Sequence, residues 1–261
     1  MAPLFQQPFM SGGFPSMNRA AAGLDDTGLK AYWKFNESSG DIINQSASAV
    51  DLGSAADITI TGATYSQTGK IGNALLFDGV NDYGEAGTSL SQWNFLHNTT
   101  AQWTIAFWMK AAASIPSSEN GIFSINGASA SFIGAEIYAT TTEQLVLYIG
   151  DGSGTATIGL GSGNNYVPDT TNWYFYVFTY DYSIGSNNGK IKRNDANLVQ
   201  GSTTGSHTNS DASHSMEILR NTRTNSNYLN AYLDEASIWD KVMSTDDQTS
   251  LYNSGSGLEI Y

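Results

Sequence analysis

The sequence has no cysteine among its 261 residues. Disulfide bonds, thiol catalysis and zinc–thiolate sites are therefore excluded. It also has no apolar run of the roughly 18 to 20 residues that a membrane-spanning helix needs, so we expect no membrane insertion. The N-terminus lacks a basic segment followed by a hydrophobic stretch, so we expect no standard secretion signal.

Charged residues are also scarce, at 13% of the chain, and they are unbalanced. The 24 acidic residues outnumber the 11 basic ones, which gives a formal net charge of -13. Such a chain is poorly suited to neutralising nucleic-acid phosphates, so we expect no nucleic-acid partner. Two interpretations of the acidity stay open. It keeps the protein soluble by repulsion, or it reflects a calcium-rich environment.

The chain is rich in residues that form turns between short strands. Glycine alone contributes 27 residues, and clusters of Gly, Ser and Asn separate short apolar or alternating segments. These segments predict about a dozen strands, and the 40% apolar content suffices for one substantial core. The predicted strands cover residues 29–35, 57–61, 74–77, 103–110, 121–125, 131–138, 144–150, 156–160, 173–182, 189–193, 216–220 and 228–239.

Two local patterns define individual elements. The segment 29–35 alternates apolar residues with Lys30, Tyr32 and Lys34, which predicts a half-buried strand with these three side chains facing outward. The segment Ser244–Tyr252 begins with capping residues followed by two aspartates, which predicts a short helix near the C-terminus.

The first 28 residues differ from the rest of the chain. Residues 1–28 contain three phenylalanines, three prolines and paired glycines without a helical or strand period, which indicates an extended arm. Apolar side chains on such an arm need a surface to cover them. We therefore predict that Phe5, Phe9 and Phe14 dock on a partner, and that residues 29–261 form one domain.

Three blocks of sequence carry a resemblance to a known family. They are Ala31–Glu37 (AYWKFNE), Gly69–Tyr83 (GKIGNALLFDGVNDY) and Leu233–Ser244 (LDEASIWDKVMS), the last followed by Leu251 and Tyr252. In these blocks the chain resembles the laminin-G-like, concanavalin A-like lectin/glucanase superfamily from about residue 29 to the end. The resemblance implies an all-β jelly-roll sandwich of two antiparallel sheets. Most members bind glycans or proteins, and a minority cleave polysaccharides.

The carboxylates give little sign of catalysis. Glycoside hydrolysis needs two carboxyl groups about 5 to 9.5 Å apart, and glucanases of this superfamily place them in a Glu-x-Asp-x-x-Glu motif that is absent here. Glu136 and Glu143 are isolated, and the adjacent Asp234 and Glu235 would face opposite sides of a strand. The histidines at 97, 207 and 214 lie in polar contexts, so we expect solvated loops. We predict a protein that is not an enzyme.

Calcium is the one cofactor that the sequence suggests. The ion takes about 6 to 8 oxygen ligands from carboxylates, amides and carbonyls, and related sandwiches often hold a structural ion between strand ends. By resemblance, Asp78, Asp234 and Asn36 are the candidate ligands, with Asp82 next. The alternative is that Asp78 and Asp82 only bond backbone amides in an Asx-type turn.

Aromatic residues make up 12% of the chain, and most of the tryptophans lie in strand patterns typical of a core. Trp93 and Tyr166 lie in predicted loops beside amides, where an aromatic ring can form an apolar platform for a sugar. They are therefore the predicted carbohydrate contacts.

Three functions follow from these features. The first is a lectin-like module displayed on a virion or similar assembly, as a capsid decoration or fibre, and anchored to a scaffold protein by the arm. It would bind glycans or cell-surface polysaccharide and act as a homo-oligomer or assembly component. The second is a free extracellular carbohydrate-binding module or adhesin. A polysaccharide hydrolase is the third and least supported.

Overall fold

The computed structural model describes residues 23–114, 118–127, 132–153, 160–161, 169–202 and 206–261. These residues form two large antiparallel β-sheets that pack face to face. The predicted all-β sandwich with one short helix near the C-terminus is confirmed.

The elements of the described residues follow one another along the chain in short steps. The strands are β1 (Leu29–Trp33), β2 (Ile58–Thr61), β3 (Thr64–Thr68), β4 (Asn73–Asp78), β5 (Tyr83–Ala86), β6 (Gln102–Ala111), β7 (Asn120–Ser124), β8 (Ile133–Ala139), β9 (Leu145–Asp151), β10 (Leu160–Gly161), β11 (Tyr174–Asp181), β12 (Gly189–Arg193), β13 (Ala196–Gly201), β14 (Met216–Ile218), β15 (Arg220–Asn221), β16 (Ser226–Tyr228) and β17 (Asn230–Trp239). The helix α1 spans Thr245–Tyr252, and short 3-10 helices span Gly53–Ala56, Asn94–Leu96 and Asn253–Gly255.

The two sheets differ in size and connectivity. The larger has the strand order β13-β12-β11-β6-β17-β4-β3, with β1 also paired to β17, and the smaller has the order β10-β9-β8-β7-β14-β5-β2. β15 and β16 form a separate two-stranded ribbon. Because the long strand β17 pairs with β1, β4 and β6, the three sequence blocks that carry the family resemblance meet in the larger sheet.

The main core lies between the sheets. β6 sends every second side chain inward, among them Trp103, Ile105 and Phe107, all of which are almost fully buried. Phe107 meets Phe123 of the opposite sheet with ring centroids 5.2 Å apart. A strand with period-two alternation buries one face only, so the opposite face of β6 needs separate cover.

A second core covers the outer face of the larger sheet. Trp108 and Trp239 from that face pack against Leu251 of α1 and Ile260 near the C-terminus. Tyr32 is 1% exposed within this layer, so the prediction that it faces solvent is wrong. The alternation along β1 is present, but a sequence pattern does not show that a distant segment covers its second face.

Some elements could not be recognised from the sequence. β3 is an edge strand of mostly polar residues (TYSQT), and β5 contains glycine and glutamate, so neither has an apolar run. The helix was recognised because its signals are local. Ser244 caps it by accepting a hydrogen bond from the amide of Asp247 at 3.1 Å.

Residues Gly23–Gly28, the end of the predicted arm, pack on the chain's own domain. Leu24 is buried in the second core, and Lys241 Nζ lies 2.6 Å from the Asp25 carboxylate. The predicted docking residues Phe5, Phe9 and Phe14 lie outside the described residues.

Candidate functional site

Asn36 and Asp234 hold one backbone turn from two directions. Asp234 Oδ2 accepts hydrogen bonds from the backbone amides of Lys70 at 2.7 Å and Ile71 at 2.9 Å. Asn36 Oδ1 accepts one from the amide of Asn73 at 2.6 Å. Burial raises the pKa of Asp234 to about 7, although the two amides act in the opposite direction. Three segments that are distant in sequence therefore meet through side-chain oxygens and backbone amides.

Asp78 and Asp82 form a second turn at the other end of β4. Asp78 Oδ1 accepts a hydrogen bond from the amide of Val80 at 2.7 Å, and Asp82 Oδ2 accepts one from the amide of Asp78 at 2.9 Å. Asp78 is paired with Asn230 at the start of β17, four residues before Asp234. At about 3.3 Å per residue, the two turns are about 13 Å apart along the strand.

The four candidate calcium ligands therefore lie in two separate turns, Asn36 and Asp234 at one and Asp78 and Asp82 at the other. Within the described ranges, no group of three or more His, Asp or Glu side chains is arranged to hold a metal ion. Asp234 Oδ1 is nevertheless buried without a hydrogen-bond partner in this part of the chain. Calcium at Asp234, with Asn36 beside it, stays a prediction.

A bulge redirects the neighbouring Glu235. The pairing of β17 with β6 shifts between Asp234 and Ser237, and Glu235 has a positive φ of 49°. Its carboxylate accepts a hydrogen bond from the Tyr32 hydroxyl in the second core, and burial raises its pKa to about 9. The expected alternation of Asp234 and Glu235 across a flat strand is wrong because the extra residue changes the register.

Trp93 belongs to the core. Its side chain is 1% exposed and packs against Trp33 and Phe95, while Nε1 donates a hydrogen bond to the carbonyl of Ala86 at 3.0 Å. The surface position predicted for Trp93 is therefore wrong, and its ring is closed to a sugar. Tyr166, the other predicted sugar contact, lies outside the described residues.

Two of the three histidines are buried, contrary to expectation. His97 is fully buried, and its Nε2 lies 3.1 Å from the carbonyl of Ser210. His207 stacks between Tyr180 and Tyr182, with its Nε2 3.0 Å from the Tyr180 hydroxyl. Desolvation lowers the pKa of both, that of His207 to about 4. Both rings therefore belong to the packed interior, and His207 has aromatic neighbours there.

The smaller sheet has a polar outer face that sequence reasoning did not find. Side chains there come into line only through the pairing of strands distant in sequence, including the pairs Glu85 with Glu217 and Ser124 with Glu136. Neighbouring members are about 4.8 Å apart across the strands. The row runs Thr59, Glu85, Glu217, Ser124, Glu136 and Tyr148.

Arg223 pairs with Glu136, one of the two fully buried glutamates of this row. Its Nε lies 2.8 Å from Glu136 Oε2, and its Nη2 lies 2.6 Å from the half-exposed carboxylate of Glu119. Asn126 donates a further hydrogen bond to Glu136 at 3.1 Å. Burial raises the pKa of Glu136 to about 7, although Arg223 acts in the opposite direction. The guanidinium also lies 4.8 Å from the centre of the Tyr138 ring.

Arg220 makes a matching pair with Glu217. The guanidinium donates two hydrogen bonds to the buried carboxylate and stacks on Tyr83, with its central carbon 3.6 Å from the ring centre. His214 Nε2 lies 3.4 Å from the same carboxylate. Tyr228 lies 6.3 Å from Tyr83 between ring centres. Arg220 thereby joins a buried charge to a half-buried aromatic pair.

The row continues into an open groove at the β2–β5 edge of the smaller sheet. The groove has a volume of about 360 Å³. Its lining is dominated by carboxylates and hydroxyls, and Glu85 lies on the same face of β5 as Tyr83, two residues away. Its lining residues include Asp41, Ser54, Asp57, Thr59, Glu85 and Thr88.

These residues gave no sequence signal because their patterns are not local. Glu85, Glu217 and Glu136 belong to three separate parts of the chain. The one local feature is the Arg-Asn-Thr-Arg sequence that contains Arg220 and Arg223. A sequence of this kind is typical of a polar loop between strands and does not predict two ion pairs with buried glutamates. Only the strand order brings these charges together.

The fold and this face define a class of protein, the two-sheet antiparallel sandwich with a polar outer surface. The model of the concanavalin A-like lectin/glucanases superfamily matches residues 78–247, well over half of the chain. The chain therefore belongs to this superfamily. A search of curated proteins found no match.

Solved structures with the same fold are distant in sequence. A Trypanosoma rangeli sialidase in complex with sialic acid is 13% identical with a TM-score of 0.59, over 89% of this chain and 34% of the sialidase chain. The binding domain of botulinum neurotoxin serotype D is 11% identical with a TM-score of 0.59, over 88% of this chain and 52% of that one. These similarities show the fold, and the chain spans only part of each structure. No helix among the described residues is long and apolar enough to cross a membrane.

Proposed function

We propose that this protein is a non-enzymatic, lectin-like adhesion module that binds glycans. The observation that carries the proposal is the groove at the β2–β5 edge, where carboxylates and hydroxyls line a space of about 360 Å³. Pockets for small ligands have volumes of about 300 to 1,000 Å³ and combine a few polar groups with an apolar surface.

The groove lining offers oxygens to a sugar, because Asp57, Thr59 and Glu85 can bond ring hydroxyls. The half-buried Tyr83 lies outside the lining, two residues from Glu85 on the same face of β5, and would offer an aromatic face to a ligand that extends past Glu85. Arg220 stacks on one side of Tyr83 and limits its movement. One solved structure of similar fold is a sialidase in complex with sialic acid. This similarity of fold is consistent with glycan binding by this chain.

A binding role also agrees with the ion pairs that the buried glutamates form with arginines. Glu136 and Glu217 lie on one face two strands apart, so their Cα atoms are about 10 Å apart. Each is tied to an arginine, and Glu217 by two hydrogen bonds. A glycosidase needs one carboxyl free to give a proton and another free to act as base or nucleophile. These ion pairs therefore favour a structural role over hydrolysis.

We further propose that the module is displayed on a virion or similar assembly and anchored by residues 1–28. Gly23–Gly28 support this arrangement, because their packing fixes the point at which the arm leaves the domain. The alternative is a free extracellular carbohydrate-binding module or adhesin, whose arm would pack on its own domain or be disordered in the purified chain. Limited proteolysis of the purified chain separates the two. Rapid loss of residues 1–22 favours a missing partner, and full protection contradicts it.

Glycan-array binding, measured with calcium and with chelator, tests the proposed function. Glu85→Gln and Tyr83→Ala are expected to weaken any wild-type signal about tenfold or more. Glu143→Gln, in the β8–β9 turn outside the groove, is the matched control and should bind like wild type. Absence of a signal from wild type in both conditions would contradict the proposal. Equal binding by all variants would contradict the location.

A further inference from the structure

The outer face of the larger sheet holds a second cavity, separate from the groove on the smaller sheet. It has a volume of about 410 Å³. It lies where the C-terminal segment begins to cover β11, β12 and β13. Its lining includes Val177, Thr179, Lys190, Lys192, Asn197 and Gln248.

Strand register builds the floor of this cavity. Lys190 and Lys192 are two residues apart on β12 and so point to the same side. Lys190 is opposite Thr179 on β11, and Lys192 is opposite Val177 on β11 and Asn197 on β13. Two ammonium groups are thereby set among a hydroxyl, an amide and an apolar side chain.

The walls are fixed by hydrogen bonds. Asp195 Oδ1 accepts hydrogen bonds from Lys192 Nζ at 3.2 Å and from the hydroxyl of Thr249 at 3.0 Å, which connects the β12–β13 turn to α1. Gln248 donates from Nε2 to the carbonyl of Met243 at 2.9 Å. The cavity therefore exists before any ligand enters, which reduces the entropic cost of binding.

The charge of the lining is opposite to that of the protein. The chain as a whole has a net charge of -13, yet two lysines and one aspartate line the cavity. The Lys192 side chain is 8% exposed and its ammonium pairs with Asp195 at 3.2 Å, so Lys190 supplies the net positive charge of the lining. Lys190 is exposed and takes part in none of the ion pairs among the described residues. An anionic group on a ligand would complete this arrangement.

We infer that this cavity binds a small hydroxylated anion, such as an acidic sugar that carries a carboxylate. The oxyanion would lie between Lys190 and Lys192, the ring hydroxyls would bond Thr179 and Asn197, and Val177 would contact the apolar face of the ring. A carboxylate can form a charge-assisted hydrogen bond with Lys190 that a neutral sugar cannot form, so the negative charge is the feature that decides selection. This site is independent of the proposed groove.

Titration calorimetry with glucuronate, glucose and inorganic phosphate tests the inference. Wild type should bind glucuronate with a Kd of about 1 mM or lower, and at least about tenfold more tightly than glucose or phosphate. Lys190→Glu should remove glucuronate binding. Lys110→Ala, which changes a lysine on the same outer face but outside the cavity, should leave it unchanged.

Several outcomes would overturn the inference. Wild type could fail to bind glucuronate, or it could bind glucose or phosphate as tightly as glucuronate. Lys190→Glu could also bind glucuronate as tightly as wild type does. Loss of glucuronate binding in Glu85→Gln instead of Lys190→Glu would place the anion in the groove, and this would also overturn it. Lys190 is exposed, so its substitution is not expected to disturb folding. Loss of glycan-array binding in the groove variants does not bear on this cavity.

Discussion

Arg223 Nε lies 2.8 Å from Glu136 Oε2, and this ion pair fastens the connection between β15 and β16 to the outer face of the smaller sheet. Glu136 is fully buried and the Arg223 side chain is 17% exposed. In a buried pair each charge depends on the other, since an unpaired buried charge is costly.

Removal of Arg223 alone should therefore destabilise the protein. We expect Arg223→Met to lower the free energy of unfolding by about 3 kcal/mol, because Glu136 is left without its counter-charge. Urea denaturation at about pH 8.5 measures the change, because Glu136 is ionised there in the folded wild type, whose pKa for this group is about 7. Glu136→Gln in the Arg223→Met background should recover a large part of the loss. Additive losses in the double variant would contradict the coupling.

The stability of the wild type should depend on pH through Glu136. The folded pKa of about 7 lies above the ordinary value of 4.5, so the folded state binds more protons than the unfolded state between these two pH values. The contribution of Glu136 is therefore fully present below pH 4.5 and is lost as pH rises to 7. The free energy of unfolding, measured by denaturation across this pH range, should depend less on pH in Glu136→Gln than in wild type. An unchanged slope would show that Glu136 titrates normally.

His207 should produce the opposite slope. Its folded pKa of about 4 lies below the ordinary value of 6.5, because burial disfavours the charged ring. The unfolded state binds more protons between these values, so stability falls as pH drops from 6.5 to 4. His207→Phe keeps a ring between Tyr180 and Tyr182 and should remove this component. Thermal melts from pH 4 to 7 provide the comparison, and His214→Phe is the control because its ring is partly exposed.

Calcium, if bound through the unpartnered Asp234 Oδ1, stabilises the folded state by mass action. We expect the melting temperature of wild type to rise on addition of calcium and to fall in chelator. Asp234→Asn should lose this response, whereas Asp82→Asn, in the separate turn at the other end of β4, should keep it. A wild-type melting temperature that is the same in calcium and chelator would contradict the prediction.

The fold could be predicted because its signals are local or belong to recognisable blocks. The apolar run before Asp78 marks β4, and Ser244 marks the start of α1. The environment of Tyr32 could not be predicted, because its cover comes from Ile260, more than two hundred residues later. Alternation is read from neighbours in sequence, while burial depends on segments that return from far away.

The candidate site was predictable only in part, for the same reason. Asn36 and Asp234 lie at one turn, whereas Asp78 lies at the opposite end of β4, and a sequence motif does not show at which end of a strand a side chain lies. Glu85 and Glu217 share a face only because β5 and β14 are paired. No spacing in the sequence encodes that register.

The most direct test of the account is to locate a bound glycan on the protein. An array-positive glycan is titrated into isotopically labelled protein, and the amide shifts are followed by NMR. The account predicts saturable shifts centred on Thr59, Tyr83 and Glu85, and loss of these shifts in Glu85→Gln. Shifts confined to another face, or none at a glycan concentration that saturates the array signal, would contradict it.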